Sequence, residues 1–254
     1  HPAAGIERIP DERVPGGRLV GHDEAVPLHM DVAVAVAERL HRRTQRKPAQ
    51  IRHHATSRLH RGGRSGGFEK LADKNGAILA YPEGIDKHWN DYRADKSRKS
   101  QRENIDDVAF ISAMLDEIAK AYPADPARTY ASGISNGGMM SYTLACRASD
   151  RFAAIAPVAG AMPENLAAAC SPARPVPVLI ISGTRDKLVH WEGGYVTGPF
   201  GRKKLGRTIS VEKSRDFWLE KDLCDAAKKE SSKLDADTAD GTSIEREVYT
   251  ACAG

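Results

Sequence analysis

Gly133-Ile134-Ser135-Asn136-Gly137 is the stretch whose residue types and spacing carry chemistry. A serine with glycine two positions away on each side suits a sharp turn from a strand into a helix. There the hydroxyl projects above the end of a sheet, and the missing Cβ atoms let strand and helix approach. Gly138 adds further room. A helix that opens at this point aims backbone N–H groups at a reacting carbonyl, so the Asn136 N–H can form one half of an oxyanion hole. The chemistry implied is attack of the Ser135 hydroxyl on an acyl carbon. The pentapeptide alone also occurs as a plain structural turn; a strand before it and a helix after it make it specific.

A serine hydroxyl is a poor nucleophile until a base removes its proton, so a histidine and an orienting carboxylate are needed. A nucleophile on a strand–turn–helix elbow is the arrangement of α/β hydrolases, in which the acid and then the histidine follow the serine along the chain. Asp186 fits the acid, because it follows the apolar run Val178-Leu179-Ile180-Ile181 and the turn Ser182-Gly183-Thr184. That puts a carboxylate just beyond a strand's carboxyl end, where sheet enzymes keep their sites. A solvated loop aspartate beside Arg185 and Lys187 is the other reading. Only His190 comes after Asp186, and a base so near in sequence would hardly reach Ser135 while gripped by Asp186. Its other reading is a loop residue beside the substrate cleft. With no later histidine before Gly254, the chain is expected to be truncated at its C-terminus or catalytically crippled.

The elements that must position these residues are legible from Phe68 onward. Phe68 to Lys74 reads as the end of a helix, Asn75-Gly76 as its stop, and Ala77 to Tyr81 as a buried strand ended by Pro82-Glu83-Gly84. Asn104 is expected to cap a helix with Asp107 at its third position. Val108, Ile111, Leu115, Ile118 and Tyr122 then recur along one face. Asp125-Pro126 reads as a turn, Arg128 to Ser132 as a strand and Asn136 to Ala148 as a helix. Phe152 to Val158 and Val176 to Ser182 read as two further strands. This alternation predicts an α/β-hydrolase fold: an α/β domain whose mostly parallel sheet has helices on both faces.

Residues 1–67 are different. All fifteen aromatic side chains lie at or after Phe68, and the early segment is rich in Arg and His, as in His41-Arg42-Arg43 and Arg52-His53-His54. It offers one apolar periodic stretch, Val32 to Leu40, and no convincing alternating strand. Two explanations compete, a partly disordered extension and a sequence read in a shifted frame over roughly residues 11 to 65, and the abrupt change at Gly66-Gly67-Phe68 favours the second. The expected division is therefore an atypical segment, 1–67, and a catalytic domain, 68–254.

Composition sets the outer limits. At 254 residues, 28% charged and 41% hydrophobic, the chain has the makeup of one globular domain. No apolar run approaches the roughly 18 to 20 residues that span a bilayer, so a membrane-embedded protein is excluded. The net charge of +4 is spread thinly, with acids interleaved, which leaves no nucleic-acid footprint. No cofactor is implied, and no metal, since the histidines and carboxylates lack ligand spacing such as HExxH. The chain begins at His1 without a basic-then-apolar leader, so any signal peptide is expected to have been removed or never included. Four cysteines without CxxC spacing suit two disulfides in an oxidising compartment; buried free thiols of a cytosolic enzyme are the alternative.

With Gly133-Ile134-Ser135-Asn136-Gly137-Gly138-Met139-Met140, the chain resembles the extracellular polyhydroxybutyrate depolymerase and feruloyl esterase group. The resemblance extends through Leu71-Ala72-Asp73, Ala80 to Gly84, Asp106 to Ile111, Arg151 to Gly160 and Ser182-Gly183-Thr184-Arg185-Asp186, in order. It implies Ser135 as nucleophile, Asp186 as acid, secretion to an extracellular or periplasmic space, and disulfides pairing Cys224 with Cys252 and Cys146 with Cys170. Two departures stand out. The family's upstream His-Gly loop, which supplies a second oxyanion donor, is matched only poorly by His60-Arg61-Gly62-Gly63. The family's catalytic histidine lies downstream of the position where this chain stops.

Trp89, in a loop after a strand, could stack on an aromatic acyl group or simply pack in the core, and Trp191, beside Gly193-Gly194, has the same two readings. The basic stretch Gly198 to Arg207 could touch a polymeric substrate, but a solvated insertion is the better reading. The expectation is a serine carboxylic-ester hydrolase acting on feruloyl or acetyl esters of polysaccharide, or on short polyhydroxyalkanoates. Its partner would be an ester substrate, small or polymeric, rather than nucleic acid or membrane. The rivals are a serine peptidase on the same fold and a hydrolase-like binding protein without activity.

Overall fold

A computed structural model describes residues 32–38, 68–198 and 203–253. A four-stranded sheet has the order β2-β1-β3-β4, built from β1 (Val32–Glu38), β2 (Ala77–Ala80), β3 (Ala124–Ile134) and β4 (Ala154–Val158). β3 and β4 pair in parallel, with Ser132 opposite Ala156, whereas β1 is antiparallel to both β2 and β3. Segment 176–182 continues the sheet beyond β4 through parallel bridges Ile155–Val178 and Val158–Ile181, forming a shorter ladder than the strand expected there. β2, β3, β4 and this segment therefore run one way, and β1 alone is reversed.

β1 corrects the expectation that the first 67 residues hold no strand, since it occupies the middle of the sheet. Its Val-Ala alternation puts Val32, Val34 and Val36 into the main core and the alanines on the other face. Because both faces of such a central strand are apolar, it lacks the apolar–polar alternation that marks a half-exposed strand. The rest of segment 1–67, including His60-Arg61-Gly62-Gly63, lies outside the described residues.

Helices α1 (Phe68–Asn75), α2 (Lys99–Arg102), α3 (Asp107–Ala121), α4 (Asn136–Arg147), α5 (Glu164–Ala169) and α6 (Val211–Lys221) complete the α/β alternation. The cap of α3 differs from expectation. Asp106, not Asn104, accepts the Ala109 N–H, and Asp107 is the first helical residue. Asn104 instead adopts a positive φ of 49° and accepts a hydrogen bond from Asn90. β3 also starts earlier than expected and runs through Asp125-Pro126.

The main core lies where Val32, Val34 and Val36 of β1, Ile78 of β2 and Ile155 of β4 meet Ile111, Leu115 and Ile118 of α3 and Met140, Tyr142 and Leu144 of α4. Every residue of α4 from Asn136 to Cys146 is buried, and small side chains at Gly137, Gly138, Ser141 and Ala145 let it sink between sheet and neighbouring helices. On the other sheet face Tyr130, Leu179 and Ile181 remain 41%, 60% and 49% exposed. No helix of the described residues is long and apolar enough to cross a membrane.

The hairpin of β5 (Gly194–Thr197) and β6 (Lys204–Thr208) packs Val196 and Leu205 on Met139, in the first turn of α4. A second hairpin, β7 (Lys229–Leu234) with β8 (Ile244–Tyr249), stands largely in solvent. Disulfides join Cys146 to Cys170 and Cys224 to Cys252. The first ties the last turn of α4 to the end of α5 across 24 residues of sequence, a closure that stabilises by about 3 kcal/mol in the chain-entropy account. Replacing Cys146 and Cys170 by alanine is expected to lower the thermal midpoint by an amount matching that loss, measured by calorimetry; an unchanged midpoint would show that this bridge constrains nothing.

Candidate active site

Ser135 sits between the end of β3 and the start of α4 with φ 54° and ψ −115°, a conformation that costs a non-glycine residue of order 1–3 kcal/mol. Two backbone hydrogen bonds fix it in place: its N–H donates to Val158 O at 2.8 Å, and its carbonyl accepts from Met139 N at 2.9 Å. The turn also depends on close backbone approach. A Cβ on Gly138 would lie 2.9 Å from Val158 O and 3.0 Å from Gly133 O. Ser135 is partly exposed, whereas Asn136, the next residue, is fully buried at the N-terminal end of α4.

Asn136 is held through its side chain. Its Oδ1 accepts from Trp89 N at 2.7 Å, and its Nδ2 donates to Trp89 O at 3.1 Å and to Asp91 Oδ2 at 2.6 Å. The loop that follows β2 thus clasps the elbow. It is a contorted loop, with Asp86, Lys87, Tyr92 and Ala94 all at positive φ. A buried polar network holds it. Asp91 Oδ1 accepts from Arg93 N at 3.1 Å and from Gln101 Nε2 at 2.9 Å, and the Arg93 guanidinium lies 3.4 Å from Asp91 Oδ2. Asp107, at the start of α3, accepts the Asn90 N–H at 2.7 Å.

Trp89 is 1% exposed and belongs to the main core, which corrects its assignment as a substrate wall: the ring offers no face to a ligand. Trp191 is only partly buried and packs against the cluster of Met139, Val189, Val196 and Leu205, beside the first turn of α4. Of the basic stretch, Lys204 and Arg207 lie 4.4 and 4.9 Å from the centre of the Tyr195 ring, and Arg207 is paired with Glu164 at 2.7 Å. Tyr195, Arg207 and Glu164, with Arg93, line a cavity of about 270 Å³.

Asp186 lies past the carboxyl end of segment 176–182, and its Oδ1 closes a turn by accepting from Leu188 N at 2.7 Å and Val189 N at 3.0 Å. Ser135 ends β3, two strand positions away across β4. At the usual strand spacing their backbones lie roughly 10 Å apart laterally, a gap that the two side chains and an imidazole hydrogen-bonded to both can bridge. Among the described residues neither His88 nor His190 hydrogen-bonds Ser135 or Asp186. His190 keeps its backbone carbonyl on Gly193 N. His88 points Nδ1 at Asp86 O, 3.2 Å away, and buries Nε2 without a partner; burial pushes its pKa below the usual histidine value.

The network of Asp91, Arg93, Gln101 and Asp107 escaped sequence reading. Asn90-Asp91-Tyr92-Arg93 looks like any polar loop, and nothing in its residue types shows that Asp91 is 0% exposed. Burial pushes the Asp91 carboxyl upward, opposed by Arg93 and by the Asn136 amide. Burial also raises Asp107 to about 6.

Residues 71–163 match the prolyl oligopeptidase family. The chain is 35% identical over 191 residues to the protein named "Putative esterase NocK" of Nocardia uniformis subsp. tsuyamanensis, a match covering 73% of this chain and 54% of that protein. It is 35% identical over 131 residues to feruloyl esterase B of Piromyces equi, covering 49% of this chain and 23% of that protein. It is 32% identical over 127 residues to the bifunctional acetylxylan esterase/xylanase XynS20E of Neocallimastix patriciarum, covering 49% and 17%. The chain thus spans about half the length of the first relative and less of the other two. The fold is that of the α/β hydrolases, and the similarity is to proteins named as esterases.

Because Asp107 holds its proton to about pH 6 when folded and releases it near 3.8 when unfolded, the folded state binds more protons between these values. Its contribution to stability therefore falls as pH rises through that window. Asp222, raised to about 6 by burial, adds the same slope. Asp107→Asn keeps an acceptor for Asn90 and cannot ionise. Thermal midpoints from pH 4 to 7 are expected to fall less steeply in this variant, by roughly half of what the two groups contribute together; parallel curves for wild type and variant would refute the shift at Asp107.

Proposed function

We propose that this α/β hydrolase is a serine carboxylic-ester hydrolase. The observation that carries the reading is the Ser135 turn itself: a positive-φ serine between strand and helix, with the following residue locked at the helix N-terminus. In this reading Ser135 Oγ attacks the ester carbonyl, the Asn136 N–H receives the developing oxyanion, and Asp186 orients a catalytic histidine that is neither His88 nor His190. That histidine takes the serine proton and passes it to the leaving alcohol; water, deprotonated by the same base, then releases the acid. Trp191 is proposed to border the acyl site.

Feruloyl or acetyl esters of polysaccharide are the proposed substrates, a choice supported by the names of the esterase relatives. Short polyhydroxyalkanoates are a further class that the same chemistry accommodates. Two disulfides support an oxidising compartment, extracellular or periplasmic. A peptidase is the second reading, favoured by the match of residues 71–163 to the prolyl oligopeptidase family.

The test is hydrolysis of p-nitrophenyl acetate and butyrate, methyl ferulate and an aminoacyl p-nitroanilide by the chain and its Ser135→Ala variant. Ester turnover that falls by about 10³-fold or more in Ser135→Ala is expected. Faster cleavage of the anilide than of the esters would favour the peptidase, and ester turnover equal in both proteins would remove Ser135 from the chemistry.

A further inference from the structure

We infer that Asp91 is a positioning residue for the oxyanion-binding N–H of Asn136, an inference that rests on the ester-hydrolase reading of Ser135. Asn136 is one peptide bond from the nucleophile, and its side-chain amide behaves like a stretch of strand edge, pairing with both the N–H and the carbonyl of Trp89. An amide has one hydrogen left after that pairing, and here it goes to Asp91 Oδ2. This third bond reinforces the orientation that the Trp89 pairing sets. With the amide turned over, its oxygen would face the Asp91 carboxylate and its NH₂ would face the Trp89 N–H, setting acceptor against acceptor and donor against donor. The carboxylate at position 91 thus adds a third anchor to the Asn136 side chain, and the three bonds together hold the residue, with its backbone N–H, against the loop.

The carboxylate is itself immobilised from behind. Gln101 Nε2 and Arg93 N donate to its other oxygen, Arg93 faces it with a buried guanidinium, and Arg93 Nη1 reaches Met139 Sδ at 3.4 Å, one turn into α4. Positive-φ residues stand on both sides of the clasp: Tyr92 and Ala94 in the loop, Ser135 in the elbow. Strained backbone persists only where its surroundings over-determine it, and Asp91 is the side chain that joins the two strained segments. Oxyanion donors act in the transition state, so a displaced Asn136 N–H lowers kcat while leaving ground-state binding nearly unchanged.

The experiment compares wild type, Asp91→Asn and Gln101→Leu. Active serines are counted by a fluorophosphonate probe, and p-nitrophenyl acetate kinetics are expressed per labelled serine. Asp91→Asn is expected to lower kcat per labelled serine about 10- to 100-fold with KM within about twofold. Gln101→Leu, which removes one support of Asp91 and leaves the ion pair intact, is expected to give a smaller fall of the same kind. A variant that loses labelled serines but keeps wild-type kcat for each would show that Asp91 serves only folding, and overturn the inference. If Asp91→Asn does not fold, Gln101→Leu decides by the same criterion. Failure of the probe to label Ser135 in the wild type would instead overturn the ester-hydrolase reading, and this inference with it.

Discussion

The clasp between the Asn136 amide and the loop after β2 is the contact on which the candidate site depends. Ser135 occupies a backbone conformation that a serine does not choose, and the cost is met by surrounding contacts rather than by the turn itself. Below the turn, β4 receives the Ser135 N–H, and Gly138 lets α4 press against β3 and β4 without a side chain between them. Beside it, three hydrogen bonds from one buried side chain hold the first residue of α4 to a loop 45 to 47 residues earlier in the chain. That loop is stable because Asp91 and Arg93 neutralise each other in a region without solvent, and because Asp107 anchors Asn90 to α3. A buried pair of this kind adds little net stability but is costly to break by halves, which makes it suited to fixing one geometry.

The sheet distributes the remaining groups. β3, β4 and segment 176–182 share one direction, so Ser135 and Asp186 emerge from the same end with one strand between them. The reversed β1 presents Val32 opposite Gly133, so its N-terminal end, not its C-terminal end, lies beside the elbow. The β5–β6 hairpin rests on Met139 in the first turn of α4, with Trp191 packed against the same cluster.

The elbow was the part most legible in the sequence, because its chemistry is local: glycines, a serine and the strand–helix switch all fall within a few residues. α1, α4 and β4 were legible for the same reason, each having a clear periodicity or stop signal. β1 was not, since a strand apolar on both faces carries no alternation of polarity, and Val-Ala repeats fit a helix face as readily as a sheet. Trp89 was ambiguous because an aromatic residue in a loop looks the same whether the loop folds inward or outward. Asp91 and Arg93 were hidden for a related reason. Two oppositely charged residues two positions apart are usually solvated, and only the tertiary fold shows them buried together against Asn136.

The central claim is that Ser135 forms a covalent bond to an acyl group. Rapid acid quench of the chain after mixing with p-nitrophenyl butyrate, followed by intact mass measurement and peptide mapping, tests it most directly. The account predicts a single butyryl adduct on the peptide containing Ser135, formed within one turnover and decaying as the substrate is exhausted. An unmodified Ser135, with butyryl groups confined to lysines or absent altogether, would contradict it.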